Sequence, residues 1–269
     1  MAFAGGRPLI PNKEEYTMTD AKTLAYINLF GILGALENLC ELDEGAQNLL
    51  KGKKPISIGI EVKGGPSATL TFKNCRCRME EGINNPNVKL PFSSCEKFNG
   101  LIDGTVTPIP SKGFTHIGFL LKEFTGLTDI LTKYLRPADE DLEDEKFFEI
   151  STKLMFYLIT VAISQIANHD EIGKFSAHLV PDGIIEMSIK DSVGATLRVK
   201  DHHFVTIKQR PASYRSAMQF GSIKLARDLF DGKVNAVACI GDGSIEMHGM
   251  INMIDNVNRI LDRVALYLA

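Results

Sequence analysis

The sequence predicts an α+β fold with two similar halves, each a mainly antiparallel sheet of about five strands with helices packed on one face. Three observations lead to this prediction: an internal repeat, long segments with helical spacing of apolar residues, and short segments in which apolar and polar residues alternate. The chain has 269 residues, of which 44% are hydrophobic and 23% charged, so it can bury a sizeable core like an ordinary globular protein.

The internal repeat consists of matched segments that occur twice in the same order. Residues 68–74 read ATLTFKN and residues 195–201 read ATLRVKD. Phe92 is followed at 101–104 by LIDG, and Phe220 is followed at 229–232 by LFDG. We also align the segment GFTHIG, which begins at residue 113, with the segment GSIEMHG, which begins at residue 243. Order and spacing are kept throughout, and we therefore interpret the chain as a tandem duplication.

An acidic connector separates the two halves. Residues 136–145 read RPADEDLEDE, in which Pro137 precedes a run of carboxylates. Such a run is solvated, and it can lead into a helix because the N-terminal end of a helix favours negative charge. We therefore place one domain at residues 1–138 and the other at residues 139–269.

The first half is predicted to begin with a long helix over residues 20–42, where apolar residues recur every three or four positions. Alternation or β-branched composition then predicts strands, and a short helix is expected to end at Asp103-Gly104 because glycine accepts the left-handed conformation. The predicted elements are strands at 57–62, 68–73, 75–80 and 87–92, a short helix at 95–102, a strand at 114–118 and a closing helix at 119–135.

The second half repeats this order. Its closing helix is predicted from apolar residues at 4-3-4-3-4 spacing, with Asp255 and Arg259 as an i,i+4 ion pair on the other side. The predicted elements are a helix at 146–168, strands at 183–189, 195–200, 203–208 and 214–220, a short helix at 222–230, a strand at 244–249 and a last helix from 251.

The glycines of the segment Gly241-Asp242-Gly243 do not indicate a nucleotide site. A dinucleotide loop needs a third glycine and then a helix, whereas this segment continues to Glu246 and alternates like a strand. We therefore predict a hairpin-type turn at Asp242-Gly243. The net charge of −3 also provides no basic field for nucleic acid, which we do not expect as a partner.

The sequence does not predict a metal site, a cofactor or a catalytic group. The five cysteines are scattered without a Cys-x-x-Cys pair, which favours a reducing, cytoplasmic location. Adjacent His202 and His203 would point to opposite faces of a strand. His116 and His248 occupy nearly equivalent repeat positions, either as surface histidines or as catalytic bases. The first 16 residues lack a secretory pattern, and the apolar segment 154–167 is shorter than the roughly 20 residues that cross a bilayer.

The C-terminal segment 218–269 contains the strand MQF, a short helix that ends at Gly232-Lys233, a strand that ends at His248-Gly249 and a terminal apolar helix. By these features it resembles the sterol carrier protein type two family of nonspecific lipid carriers. The first half is less similar, because Thr105 replaces the lysine and the segment from Pro108 to Lys112 looks like an insertion. The whole chain thus resembles a tandem pair of such domains.

The resemblance implies an apolar tunnel between sheet and helices that binds or carries a fatty acyl group or another lipid, without catalysis. The alternative for each predicted lining residue is an ordinary core residue, which is the more common role of such side chains. The predicted lining residues are Met218, Phe220, Met247, Met250 and Ile254, with Phe92, Phe114 and Leu120 in the first half. An apolar small molecule is the expected partner, with transient membrane contact or a homo-oligomer also allowed. The alternatives are an interaction module with a filled interior, or an enzyme for a lipid-like substrate that uses His116 or His248 as a base.

Overall fold

The computed structural model describes residues 19–268, so the expectation that the first 16 residues are not a secretory signal concerns residues outside the described range. The described chain contains nine helices and nine strands. In the first half these are α1 (Ala21–Leu42), α2 (Glu44–Leu50), β1 (Ile56–Val62), β2 (Ser67–Lys73), β3 (Arg76–Glu81), β4 (Val88–Phe92), α3 (Cys95–Ile102) and α4 (residues 117–135). A 3-10 turn at Asp139–Glu143 leads to α5 (Glu145–His169), α6 (Glu171–His178), β5 (Gly183–Ile189), β6 (Gly194–Lys200), β7 (His203–Ile207), β8 (Ser216–Phe220), α7 (Ile223–Phe230), α8 (Ala236–Gly241), β9 (Ile245–Gly249) and α9 (Ile251–Leu268).

The strands form two sheets with the same order of their first four strands. The first sheet runs β3-β2-β1-β4 and the second runs β7-β6-β5-β8-β9. Neighbours are antiparallel except β1 with β4 and β5 with β8, which pair in parallel. Helices pack against both sheets, so the predicted α+β class with mainly antiparallel sheets is confirmed.

Helix starts in the two halves are fixed by the same local hydrogen bond. Ser94 caps α3 by accepting from the backbone N–H of Lys97, and Ser222 caps α7 by accepting from that of Leu225. Each of these caps satisfies a backbone donor that the helix itself cannot pair. Gly104 and Gly232 follow the two helices with φ of 71° and 68°, as predicted for glycines that end a helix.

The two long helices connect the two hydrophobic cores. Ile27 of α1 packs in the second core, whereas Ile150 and Leu154 of α5 pack in the first. The carboxylate of Glu37 also joins the halves, because it accepts from the backbone N–H of Met79 at 2.8 Å and from Nζ of Lys208 at 3.2 Å. The boundary at 138/139 falls in the connector and stays a prediction.

Two helices in the described range, α1 and α5, are long and apolar enough to cross a membrane by length and composition. Their apolar windows are 72% and 78% buried inside the fold. The buried core helices of water-soluble proteins can have the same length and composition.

The predicted strand at 114–118 is wrong, because this segment is a 3-10 turn followed by the start of α4. Gly113 has φ of 90°, and a Cβ there would lie 2.3 Å from the carbonyl oxygen of Asn87. Gly249 has φ of 85°, and its Cβ would lie 2.1 Å from the carbonyl oxygen of Arg215. The structural counterpart of Gly113 is therefore Gly249 and not Gly243.

The predicted hairpin-type turn at Asp242-Gly243 is also wrong. The residues before it form α8, so the turn joins a helix to β9. Gly243 takes the left-handed conformation with φ of 80°, which explains the glycine there. Three short helices, α2, α6 and α8, were not predicted.

Candidate functional site: an apolar cleft in the first half

The first half contains an open cleft of about 460 Å³ between β4, α3, α4 and the middle of α1. Most of its lining is aliphatic or aromatic. The lining residues are Ile32, Leu33, Leu90, Leu101, Ile102, Thr107, Pro108, Pro110, Ile117, Leu120, Leu121, Phe124, Thr125, Thr128, Asp129, Leu131 and Thr132. The cleft lies against the first hydrophobic core. Leu33, Leu90 and Leu131 belong both to this core and to the cleft lining.

Two π-helical segments border the cleft. Residues Ile27–Ile32 of α1 and Leu120–Phe124 of α4 have π-helical geometry. The first contributes Ile32 to the lining, and the second contributes Leu120, Leu121 and Phe124. A π-helical turn inserts an extra residue into a helix and is found frequently at functional sites. Here it shapes two of the walls of the cleft.

The hydroxyl groups on the α4 wall are already hydrogen-bonded within the helix. Thr125 donates to the carbonyl oxygen of Leu120 at 2.9 Å, Thr128 to that of Thr125 at 2.8 Å, and Thr132 to that of Thr128 at 2.8 Å. Asp129 is exposed. The wall therefore offers few free polar groups to a ligand, and the cleft suits a hydrocarbon group.

The cleft is open in the first half because the segment after the short helix is shorter there. Gly113 follows Gly104 by nine residues, whereas Gly249 follows Gly232 by seventeen. The loop with Pro108 thus replaces a longer segment, which corrects its interpretation as an insertion.

The equivalent region of the second half is packed with side chains. Leu90 on the cleft floor pairs with Ile60 in β1. Met218 is its equivalent in the second half, because it pairs in the same way with Met187 in β5. Met218 is buried, and the longer segment contributes three residues to the core around it, namely Cys239, Ile240 and Ile245. In the second half, the α8–β9 segment therefore fills the space that corresponds to the cleft. In the first half, the proline loop leaves this space open.

Five predicted lining residues lie in the second half. Met218, Phe220 and Ile254 are buried in the second core, where Phe220 packs edge-on against Phe230 with ring centroids 6.0 Å apart. Met247 and Met250 are each 36% exposed. Their role in binding a ligand stays a prediction.

The other three predicted lining residues lie in the first half, and Leu120 is among the residues that line the cleft. Phe92 is buried in the first core, edge-on to Phe98 with ring centroids 5.2 Å apart. Phe114 is 61% exposed, just before α4. The sequence analysis did not identify the other lining residues, although it did single out the proline segment that forms one wall.

The histidines lie outside this cleft. His116 lines a neighbouring open cleft, and His248 is exposed on β9 beside Glu246, with Nε2 3.3 Å from its carboxylate. His202 stacks on His178 with ring centroids 4.8 Å apart. Within residues 19–268 no group of three or more His, Cys, Asp or Glu side chains is placed to hold a metal ion.

A second, more polar groove of about 510 Å³ lies between the two halves, next to the edge strands β3 and β7. His169 stacks on Tyr26 there with ring centroids 3.5 Å apart. Burial, with smaller contributions from Lys174 and Lys22, lowers the pKa of His169 to about 4, so its ring is neutral near neutral pH.

Comparisons with known proteins give only weak similarities. No family model matches the chain, and no curated protein matches it. Among solved structures it is similar to the "UbiJ-SCP2 Ubiquinone synthesis protein", with a TM-score of 0.31 and 16% identity over 40% of this chain and 92% of that one. It is also similar to the inverting sec-alkylsulfatase Pisa1 from Pseudomonas sp., with a TM-score of 0.24 and 10% identity over 55% of this chain and 28% of that one. We base no argument on either similarity.

Proposed function

We propose that this protein binds or carries the hydrocarbon part of a fatty acyl group or another lipid in the cleft of its first half. The open apolar cleft beside β4 and α4 is the observation that carries the proposal. Its volume of about 460 Å³ lies within the range of roughly 300–1,000 Å³ that small-molecule sites occupy. The proposal includes a tandem pair of sterol-carrier-like domains, of which the first binds ligand and the second has a filled interior.

Burial of the hydrocarbon supplies the binding free energy. Each methylene group that leaves water contributes about 0.8 kcal/mol, and few polar contacts are needed for orientation. The threonine hydroxyls of α4 donate to helix carbonyls and so do not have to be desolvated without a partner. A chain of several methylenes can therefore offset the cost of its own immobilisation.

A cleft-filling variant tests the proposal. Purified protein is titrated with a fatty acid that carries an environment-sensitive fluorophore, and unlabelled fatty acid then competes. Thr128→Trp places a large ring on the cleft wall and should weaken binding at least about tenfold, which corresponds to about 1.4 kcal/mol. Val237→Trp is the matched control, since Val237 is exposed in the second half.

The proposal fails if the wild-type protein shows no saturable binding. It also fails if Thr128→Trp binds the probe as well as Val237→Trp does while both variants keep the circular dichroism spectrum of the wild type.

A second candidate function is an interaction module. It is favoured by exposed apolar side chains at one end of the second half, next to the edge strand β9, namely Val234, Val237, Met247, Met250 and Ile251. A homo-oligomer would cover them. Light scattering across a concentration series tests this function, because a strictly monomeric protein would exclude the homo-oligomer.

We propose a binding protein and not an enzyme, in a cytoplasmic location. An activity that hydrolyses a thioester or ester of the bound lipid, and that is lost on replacing His116 and His248, would overturn the first part. Cell fractionation tests the second.

A further inference from the structure

Three large apolar side chains are exposed on the segment that leads into α4 and on its first turns. Ile109 is 76%, Phe114 61% and Leu121 74% exposed. Phe114, Gly118 and Leu121 follow one another along this helical segment and are all exposed. Leu121 also lines the cleft. We call Ile109, Phe114, Gly118 and Leu121 the docking face.

A basic cleft of about 450 Å³ adjoins the docking face. It is lined by Lys53, Lys54, Pro55, Ile56, His116, Gly118, Phe119, Lys122 and Glu123. Glu123 is nearly buried and pairs with Lys53 at 2.6 Å. Lys54 and Lys122 are exposed, and neither forms an ion pair with another residue of the described range. The basic cleft thus keeps two uncompensated positive charges beside an exposed apolar face.

These positive charges are local, because the whole chain has a net charge of −3. Asp129 is exposed on the wall of the apolar cleft and does not line the basic one. An anionic surface would therefore attract this face and repel the rest of the chain. This favours the orientation of the protein in which the docking face points to the anionic surface.

We propose that the docking face binds the surface of a bilayer that contains anionic lipids. Ile109, Phe114 and Leu121 insert among the acyl chains, and Lys54 and Lys122 contact the headgroup phosphates. Gly118 lets the helix approach the headgroups closely because it has no side chain. Exposed apolar side chains beside lysines are typical of segments that lie in the membrane interface.

Docking has a consequence for the cleft, and this part rests on the proposed function. Leu121 belongs both to the docking face and to the cleft lining, so the cleft opens next to the bilayer when the face is bound. A lipid can then enter or leave without passing through bulk water.

Vesicle flotation tests the docking. The full chain is mixed with vesicles of phosphatidylcholine alone, or of phosphatidylcholine with an equal amount of phosphatidylserine, and the fraction that floats is measured. We expect stronger binding to the anionic vesicles, and a loss of it at high salt. Lys54→Gln and Lys122→Gln should each weaken it about fivefold. The charge control is Lys190→Gln with Lys200→Gln, both exposed in the second half.

The apolar contribution is tested with Ile109→Ser combined with Phe114→Ser, which leaves the cleft lining intact and should weaken binding at least about tenfold. Val237→Ser with Ile251→Ser removes two equally exposed apolar side chains from the second half and should have little effect.

The proposal would be overturned by the absence of flotation with anionic vesicles, or by equal losses in the docking-face and control variants. A dimer that the docking-face substitutions abolish, without any vesicle binding, would assign the face to a second copy of the chain and would also overturn it. The cleft-filling variant Thr128→Trp separates the two proposals, because it should float like the wild type. If it does while the wild-type protein shows no saturable fatty-acid binding, the proposed function fails and docking stands.

Discussion

Replacing Gly113 with alanine should destabilise the protein by about 3 kcal/mol. Its φ of 90° disfavours any residue with a Cβ and costs about 1 kcal/mol or slightly more. The new Cβ would also lie 2.3 Å from the carbonyl oxygen of Asn87 and 2.9 Å from Cα of Val88. Both contacts are with backbone atoms of or beside β4, which cannot rotate away, so relief requires a backbone shift that costs roughly 1–3 kcal/mol.

Gly104→Ala separates the two contributions. Gly104 has a similar φ of 71°, but a Cβ there would meet nothing within 4 Å. It should therefore cost only the conformational part, about 1 kcal/mol. Urea unfolding followed by circular dichroism measures both variants. Losses that agree within about 0.5 kcal/mol would refute the close approach of Gly113 to β4.

Because Gly113 directly precedes the 3-10 turn that leads into α4, its substitution should also change the cleft. Fatty-acid binding should weaken in Gly113→Ala and stay close to the wild-type value in Gly104→Ala. Unchanged binding in Gly113→Ala would contradict the dependence of the cleft on this contact.

Two further predictions concern stability. Burial lowers the pKa of His169 from 6.5 to about 4, so its contribution to stability is present above pH 6.5 and is lost as the pH falls towards 4. Between about pH 7 and about pH 5, the free energy of unfolding of the wild type in urea should fall by roughly 1 kcal/mol more than that of His169→Phe, after allowance for the partial exposure of the ring. Equal losses in the two proteins would contradict this. Asp170→Asn should cost about 3 kcal/mol in thermal or urea unfolding, because it removes a buried negative charge that lies 2.6 Å from the guanidinium of Arg263. Asp255→Asn in the exposed pair with Arg259 should cost under about 0.5 kcal/mol, and equal costs would contradict the burial argument.

Much of the fold could be predicted because its signals are local. Apolar spacing placed the long helices. Alternation or β-branched composition placed all nine strands of the described residues, each within about two residues of its observed ends. The Asp-Gly pairs at the ends of α3 and α7 located two helix ends, because a left-handed glycine is a requirement of a single residue. The short helices α2, α6 and α8 have too few turns to show a periodicity.

The strand predicted at 114–118 shows where local signals mislead. The alignment of GFTHIG with GSIEMHG predicts a strand here, but the segment is a 3-10 turn followed by the start of α4. The conformation follows from the approach of Gly113 to β4, and a contact between segments distant along the chain leaves no mark in the local pattern. The same misalignment of the two halves matched His116 incorrectly with His248.

The sequence by itself determined the α+β class, the repeated order of elements and the existence of two apolar interiors, since each depends on which residues lie near one another along the chain. Only the tertiary structure decided which interior is open. A cleft is the space left after all neighbouring elements have packed, and here it depends on whether a proline loop or the α8–β9 segment follows the short helix. Apolar residues that line a cleft and apolar residues that fill a core are chemically alike, so no residue type in the sequence distinguishes them.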